Sequence, residues 1–456
     1  MNVLYAALAT PTVGAIVASI FRRRAIRLPL RLGFGALSVA LAALSLPQVD
    51  GLSRIFFVLI SLVSFLALLF SVSIFPKIEL ADAHWASRPA YFILLGAFWS
   101  SMLLTVSATS FTWVWIGISA TTLATTFLVG FSGGKTALEA AWKYLILCSF
   151  GIAIALLGML LVGRAAMGAG VDPAQALSWT VLVAHAGALS PSLFRIGLLL
   201  MVLGFATKAG LVPMHAWLPD AHSKAPSPIS ALLSGLLVSC SLYAIVRVQS
   251  VATPSLWPML DGTLLVLGSL SVIVASLLML AQRDVKRFLA YSTIEHSGLV
   301  AIALGIHTPL ATFAAVYHIV NHAFSKSSAF LSIGVVQYAR GTTEIAALKG
   351  LWREGRGKLF LASLVALAGL PPFALFFSEM LIVIATAVAH QWVVLSVAVI
   401  ALAIAFTALT RLAVETESGV SHPERRASPP LAMTAVATAA FMALLCSFVP
   451  FTGLIK

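Results

Sequence analysis

Two stretches of this sequence interrupt long apolar runs in the same way: FATKAGLVPMHAWLPDAH at Phe205–His222 and LAGLPPFALFFSEM at Leu367–Met380. Each joins glycine and proline to an ionisable residue, Lys208 in the first stretch and Glu379 in the second. Paired Gly- and Pro-interrupted segments are typical of membrane transporters built from repeats, where broken backbone lines a polar cavity. The two stretches therefore predict a repeated helical fold embedded in a membrane.

The composition of the whole chain agrees with this interpretation. Of its 456 residues 60% are hydrophobic and only 9% are charged, and the mean hydropathy is +1.03. Soluble domains carry roughly 25% charged residues, so the charges here could not cover a soluble surface of this size. At roughly 20 apolar residues per helix the chain has room for about 14 membrane spans. This excludes a large soluble catalytic domain and predicts one all-α membrane domain over residues 1–456.

Apolar runs of membrane length locate these spans along the chain. The predicted spans are 2–21, 30–46, 54–75, 90–108, 111–131, 143–163, 195–217, 228–250, 261–281, 289–306, 309–336, 359–386, 392–411 and 431–450. They group into three N-terminal helices within 1–89, a first repeat at 90–250, a second repeat at 261–411 and a C-terminal helix at 431–450. The apolar run at 174–188 is too short for a span and is expected to lie along the outer interface.

The positive charges orient this topology. Of the 28 Lys and Arg residues, 21 lie in connections that follow odd-numbered spans. The positive-inside rule places those connections in the cytoplasm and both termini on the outer side of a bacterial plasma membrane. The net charge of +13 is thus explained without a nucleic-acid partner. The first span lacks a basic region before it, which indicates a retained helix and not a cleaved signal peptide.

Ionisable residues inside the predicted spans are the candidates for function, because a charge within the membrane is costly. Lys208 lies too deep in its span to reach the surface and is a candidate proton carrier, although a lysine neutralised by a structural carboxylate is the alternative. His318, His322 and Lys326 recur every fourth residue, which predicts a column about 6 Å apart on one helical face. This column is interpreted as a proton relay, with a metal site or simple interhelix hydrogen bonding as alternatives.

Carboxylates complete the predicted proton pathway. Glu379 follows the second Gly/Pro break as the only carboxylate unambiguously within a span, where it serves as an exit group or merely caps a half-helix. Glu139 and Lys143 flank the start of the sixth span, and Glu295 belongs to a polar group at the start of the tenth. These residues either line a proton entrance or anchor helix ends at the headgroups.

The three cysteines give no sign of a cofactor. Cys148, Cys240 and Cys446 lie singly in apolar runs, with no Cys-x-x-Cys pair, and are interpreted as packing residues. We therefore predict no metal, no bound cofactor and no redox centre within this chain.

Five strings carry a resemblance to a known family: 138–149 (LEAAWKYLILCS), 208–235 (KAGLVPMHAWLPDAHSKAPSPISALLSG), 284–299 (DVKRFLAYSTIEHSGL), 321–331 (NHAFSKSSAFL) and 369–379 (GLPPFALFFSE). They resemble the proton-translocating antiporter-like membrane subunits of NADH:quinone oxidoreductase, [NiFe] hydrogenases and multisubunit Na+/H+ antiporters. Within that group the chain is most similar to the hydrogenase-4 component F type.

The resemblance implies a 14-helix fold with two inverted five-helix repeats, and it implies roles for particular residues. Lys208 and Glu379 match the lysine of the seventh span and the terminal group of the twelfth, and His215 is included in the pathway. Two family positions differ. The glutamate of the fifth span is replaced by Ser119 and the Lys or His of the eighth by Ser239, which puts the family's switching of Lys208 in doubt.

These features lead to three functional hypotheses. The first is a membrane-arm subunit of a hydrogenase-4-like or NADH dehydrogenase-like complex, which couples electron transfer in partner membrane and peripheral subunits to proton translocation. The second is a cation/proton antiporter or inorganic-carbon uptake module without redox partners. The third is a structural subunit whose proton channel is degenerate, because Ser119 and Ser239 carry no charge.

Overall fold

In a computed structural model the chain is described over residues 3–74, 87–419 and 429–446, and it is all-α in these ranges. Strand-like pairing is limited there to two isolated bridges, Ser110 with Ser178 and Asp284 with Glu344. The helices are α1 Val3–Ile20, α2 Arg24–Ser45, α3 Gly51–Ile74, α4 Arg88–Ser107, α5 Phe111–Val129, α6 Lys135–Gly168, α7 Trp179–Ala184, α8 Pro191–Lys208, α9 Trp217–Lys224, α10 Ser227–Leu232, α11 Val238–Ser250, α12 Trp257–Leu280, α13 Val285–Ile306, α14 Pro309–Arg340, α15 Gly355–Leu367, α16 Ala374–Val388, α17 Trp392–Glu417 and α18 Pro430–Leu445. A π-helical turn at Leu233–Leu237 joins α10 to α11.

Each of the fourteen predicted spans coincides with a helix or with a pair of half-helices. Within the described ranges, eleven segments are long and apolar enough to cross a membrane unaided. The other three predicted spans are α14, which is rich in polar residues, the broken pair α15 and α16, and the short α18. The prediction of a polytopic all-α membrane protein is confirmed.

Ion pairs between residues near the ends of spans indicate that successive connections lie on alternate sides of the membrane. Arg247, at the end of the eighth span, pairs with Asp50, which precedes the third span. Asp220, in the connection after the seventh span, pairs instead with Lys143 and Arg287 at the starts of the sixth and tenth. Connections of one parity thus contact each other, as expected for a chain that crosses the membrane at every span.

The two predicted breaks have the same construction. The sequence Ala-Gly-Leu-x-Pro occurs at Ala209–Pro213 and again at Ala368–Pro372, directly after α8 and α15 end. The glycines, Gly210 and Gly369, adopt φ values of 74° and 58°, a left-handed conformation that L side chains rarely take. The recurrence five spans apart agrees with the predicted pair of repeats.

The start of the tenth span bears on the position of a functional residue. The tenth span, predicted at 289–306, begins at Val285 as α13. Glu295 is therefore at mid-helix and only 2% exposed, and not among groups at a helix end. The prediction that Glu379 is the only carboxylate clearly inside a span is corrected accordingly.

Candidate functional site

Lys208 ends α8 at the first break and is completely buried. Its Nζ donates to the Thr122 hydroxyl on α5 at 2.9 Å and to the Tyr144 hydroxyl on α6 at 2.5 Å. The Tyr144 hydroxyl also lies 2.5 Å from Oγ1 of Thr125, and its ring centroid is 4.5 Å from the ammonium. Both hydrogen bonds that we identify from Lys208 therefore end on neutral hydroxyls.

The two altered family positions do not contact Lys208 through hydrogen bonds. Ser119 lies one turn before Thr122 on α5, and its Oγ has no hydrogen-bond partner among the described residues. Ser239 is buried on α11 and donates to the Gly235 carbonyl at 2.6 Å. Thr122 and Tyr144, which the sequence did not single out, surround the lysine instead.

The predicted column on α14 is confirmed as a geometric feature. The rings of His318 and His322 are nearly parallel, with centroids 6.3 Å apart, and both are buried. Lys326, one turn further along, is fully buried and donates to Oγ of Ser292 at 2.7 Å and to the Leu289 carbonyl at 3.2 Å. Helix α13 therefore supplies the hydrogen-bond partners of this lysine.

Helix α13 also brings a third imidazole to the column. Nδ1 of His296 lies 3.2 Å from Nε2 of His318, and its ring centroid is 5.1 Å from that of His322. Nε2 of His296 is 3.6 Å from the Glu295 carboxylate. His296 thus lies between the α14 column and the buried carboxylate of Glu295.

Glu379 on α16 is at the far side of the same cluster. Its Oε1 lies 3.8 Å from Nδ1 of His296, while the neighbouring Ser378 hydroxyl is 3.0 Å from Nδ1 of His318. A cavity of about 390 Å³, partly open to the surface, is lined by Glu295, His296 and Glu379 together with residues of α17. The cluster therefore has room for water at one end.

The remaining predicted residues lie away from these contacts. Glu139 and Lys143 form an exposed ion pair at 2.7 Å, which Asp220 extends at 3.2 Å from Lys143. His215 is partly exposed between α8 and α9, and its Nδ1 has no partner among the described residues. Both interpretations of the Glu139 and Lys143 pair, as entrance or as anchor, stay open.

Sequence reasoning missed His222, which lies between the two halves of the site. It is fully buried, its ring stacks on Phe330 of α14 with centroids 5.0 Å apart, and neither nitrogen has a partner in the described part of the chain. The sequence feature that could have identified His222 is its position in the first Gly/Pro-interrupted stretch, five residues after Trp217.

Helix α9 connects the surroundings of the two lysines. Trp217 donates from its indole to the Thr207 carbonyl at 2.9 Å and packs against Tyr144 with ring centroids 5.1 Å apart. One and a half turns later His222 contacts α14. No group of three or more His, Cys, Asp or Glu side chains in the described ranges has the arrangement of a metal site. The site can bind and pass protons along hydroxyl, imidazole, amine and carboxylate groups.

The fold and the buried charges define a polytopic, antiporter-like membrane subunit. A profile of the family described as "NADH:quinone oxidoreductase/Mrp antiporter, TM" matches residues 108–405, and the chain belongs to this family. The hydrogenase-4 component F homolog of Methylacidiphilum infernorum is 39% identical over 343 residues, which make up 73% of this chain and 71% of that protein. The resemblance inferred from the five strings is confirmed.

Solved structures agree on the fold. A chain of the membrane-bound sulfane sulfur reductase, an archaeal respiratory membrane complex, matches with a TM-score of 0.88 at 24% identity, covering 100% of this chain and 96% of that chain. A chain of respiratory complex I from Thermus thermophilus matches with a TM-score of 0.78 at 25% identity, covering 99% of each. Both neighbours are membrane subunits of larger assemblies.

Proposed function

We propose that the chain is the proton-carrying membrane subunit of a hydrogenase-4-like or NADH dehydrogenase-like complex. Electron transfer in partner membrane and peripheral subunits drives protons through it across a bacterial plasma membrane, with both termini on the outer side. The observation that carries the proposal is the set of buried ionisable side chains that runs through α13, α14 and α16 and ends at the cavity of about 390 Å³ beside Glu379.

The second half of the molecule supports proton transfer most fully. Glu295, His296 and His318 are successive neighbours, Lys326 lies one turn from His322 on α14, and Glu379 lies beside the cavity. Each group can take up and release a proton. His296 and His318 are within hydrogen-bond distance at 3.2 Å, and the carboxylates of Glu295 and Glu379 lie 3.6 and 3.8 Å from His296. We propose that a proton passes between Lys326 and Glu379 through this imidazole cluster, and that His322 belongs to the same relay.

The first half supports a weaker form of the same role. Lys208 is buried, but its hydrogen-bond acceptors are the hydroxyls of Thr122 and Tyr144, and Ser119 offers no carboxylate to switch it. This favours, as a second candidate, a subunit whose first half is structural and whose second half conducts.

Two experiments on the complex separate these functions. Extraction in a mild detergent should bring down subunits with iron–sulfur or nickel–iron centres, and recovery of the chain without redox partners would contradict the main proposal. Membrane vesicles should then acidify internally when an electron donor is supplied. Acidification driven by a Na+ gradient or by bicarbonate alone would favour the antiporter or carbon-uptake alternative.

A further inference from the structure

Arg31 on α2 is a buried cation that the proton pathway does not use. It is only 7% exposed, and its Nε and Nη2 have no hydrogen-bond partner among the described residues. The guanidinium carbon lies 3.5 Å above the ring centroid of Phe92 on α4. Stacking satisfies the flat face of a guanidinium, but its N–H groups point outward in the plane and still require acceptors.

A crevice in front of Arg31 holds a second donor without an acceptor. It is formed by α1, α2, α3 and α4 and encloses about 30 Å³. Trp99, 2% exposed, lines the same crevice, and its Nε1 also lacks a partner among the described residues. No Asp or Glu lines the crevice, and the sequence has none before Asp50. Two buried donors that line one crevice without a carboxylate are suited to an anion from outside the chain.

A ladder of arginines leads to this crevice. Arg24, Arg27 and Arg31 are spaced three and four residues apart on α2, which puts them on one helical face. At 1.5 Å per residue, Arg31 is about 10 Å along the helix from Arg24. Arg22 and Arg23 precede the helix and are exposed. Clusters of this kind at the end of a membrane helix attract anionic lipid.

We propose that this crevice binds the phosphate group of an anionic membrane phospholipid. The crevice of about 30 Å³ has room for two or three groups of about the size of a water, so it admits phosphate oxygens and not a whole headgroup. Arg31 and Trp99 donate to these oxygens, while Arg24 and Arg27 contact the remainder of the headgroup. The acyl chains lie along exposed apolar side chains of α1 such as Val13, which is 48% exposed.

The test compares lipids on the intact complex reconstituted in nanodiscs. Wild-type complex should be more heat-stable with phosphatidylglycerol than with phosphatidylcholine alone and should retain phosphatidylglycerol through delipidating washes. Arg31→Gln should lose the retained lipid and most of the stabilisation, whereas Arg164→Gln, an exposed arginine on α6, should lose neither. Full retention of the lipid by Arg31→Gln would overturn the proposal.

Two further comparisons decide the source of the anion, and a second variant replaces Arg31→Gln if that variant fails to assemble. Inorganic phosphate added to phosphatidylcholine nanodiscs should not stabilise the wild type, and equal stabilisation would overturn the lipid assignment in favour of free phosphate. Stabilisation that requires partner subunits but not phosphatidylglycerol would overturn it in favour of a partner carboxylate. If Arg31→Gln fails to assemble, Arg31→Lys replaces it and should bind phosphatidylglycerol several-fold more weakly, while unchanged binding contradicts the proposal.

Discussion

Replacing Lys326 by methionine removes the charge at the start of the imidazole cluster and keeps a side chain of similar shape. Nζ loses its bonds to Ser292 and to the Leu289 carbonyl, each worth about 1.5–3 kcal/mol for a charged donor. The cost of holding the charge within the membrane, at least about 2.5–3.5 kcal/mol, is lost as well. These contributions largely cancel, so the free energy of unfolding should fall by no more than about 3.5 kcal/mol.

Proton movement should respond far more strongly than stability. Positioned proton-transfer groups contribute about 10²–10⁴-fold to a rate, so donor-driven proton uptake should fall by about 100-fold or more in Lys326→Met. The assay follows a pH-sensitive dye in inverted vesicles with matched amounts of complex. Lys349→Met, an exposed lysine in the connection after α14, is the control and should retain wild-type uptake. Wild-type uptake in Lys326→Met would refute the proposed relay.

Three other substitutions test separate parts of the structure. In Gly369→Ala the added Cβ would clash with the Glu379 carboxylate, and residue 369 would have to keep a left-handed backbone conformation. The free energy of unfolding should therefore fall by about 1–2 kcal/mol, and proton uptake should drop. Normal uptake would contradict the placement of the Glu379 carboxylate. Ser119→Glu should assemble normally and raise uptake, and misassembly would show that the added carboxylate has no space beside Lys208. Burial by itself raises the pKa of the Asp50 carboxyl group. The hydrogen bond from the Ser53 amide and the interaction with Arg247 together lower it by more, so the pKa of Asp50 lies below its usual value. Stability gained from this carboxylate should be lost as the pH falls below about 4, and Asp50→Asn should lack that loss when thermal midpoints are compared.

The span pattern and the α14 column could be predicted from sequence because both depend on local spacing. Apolar runs have the length of the membrane, and residues four apart share a helical face whatever surrounds them. The two breaks were readable for the same reason, since Gly210, Gly369 and the prolines that follow them act on their own backbone. Lys208 and Glu379 were found as ionisable residues in apolar runs, and His318 through the spacing of the column.

The partners of those residues could not be predicted, because they come from other helices. Tyr144 stands next to the exposed Lys143 in the sequence, and only the packing of α6 on α8 turns it toward Lys208. Glu295 was misplaced because the polar stretch around it resembles a helix end, whereas α13 is buried on nearly all sides and accommodates polar groups at mid-helix. His296 joins the α14 histidines through contact between helices, which spacing along one helix does not encode.

The central claim is that protons cross the membrane through the buried groups of this chain while partner subunits transfer electrons. The most direct measurement is the number of protons taken up per electron by vesicles that contain the complex, compared between wild type, Lys208→Met and the exposed control Lys224→Met. We expect an unchanged ratio of protons to electrons for Lys224→Met and a reduced ratio for Lys208→Met when both complexes assemble normally. An unchanged ratio for Lys208→Met would contradict the claim.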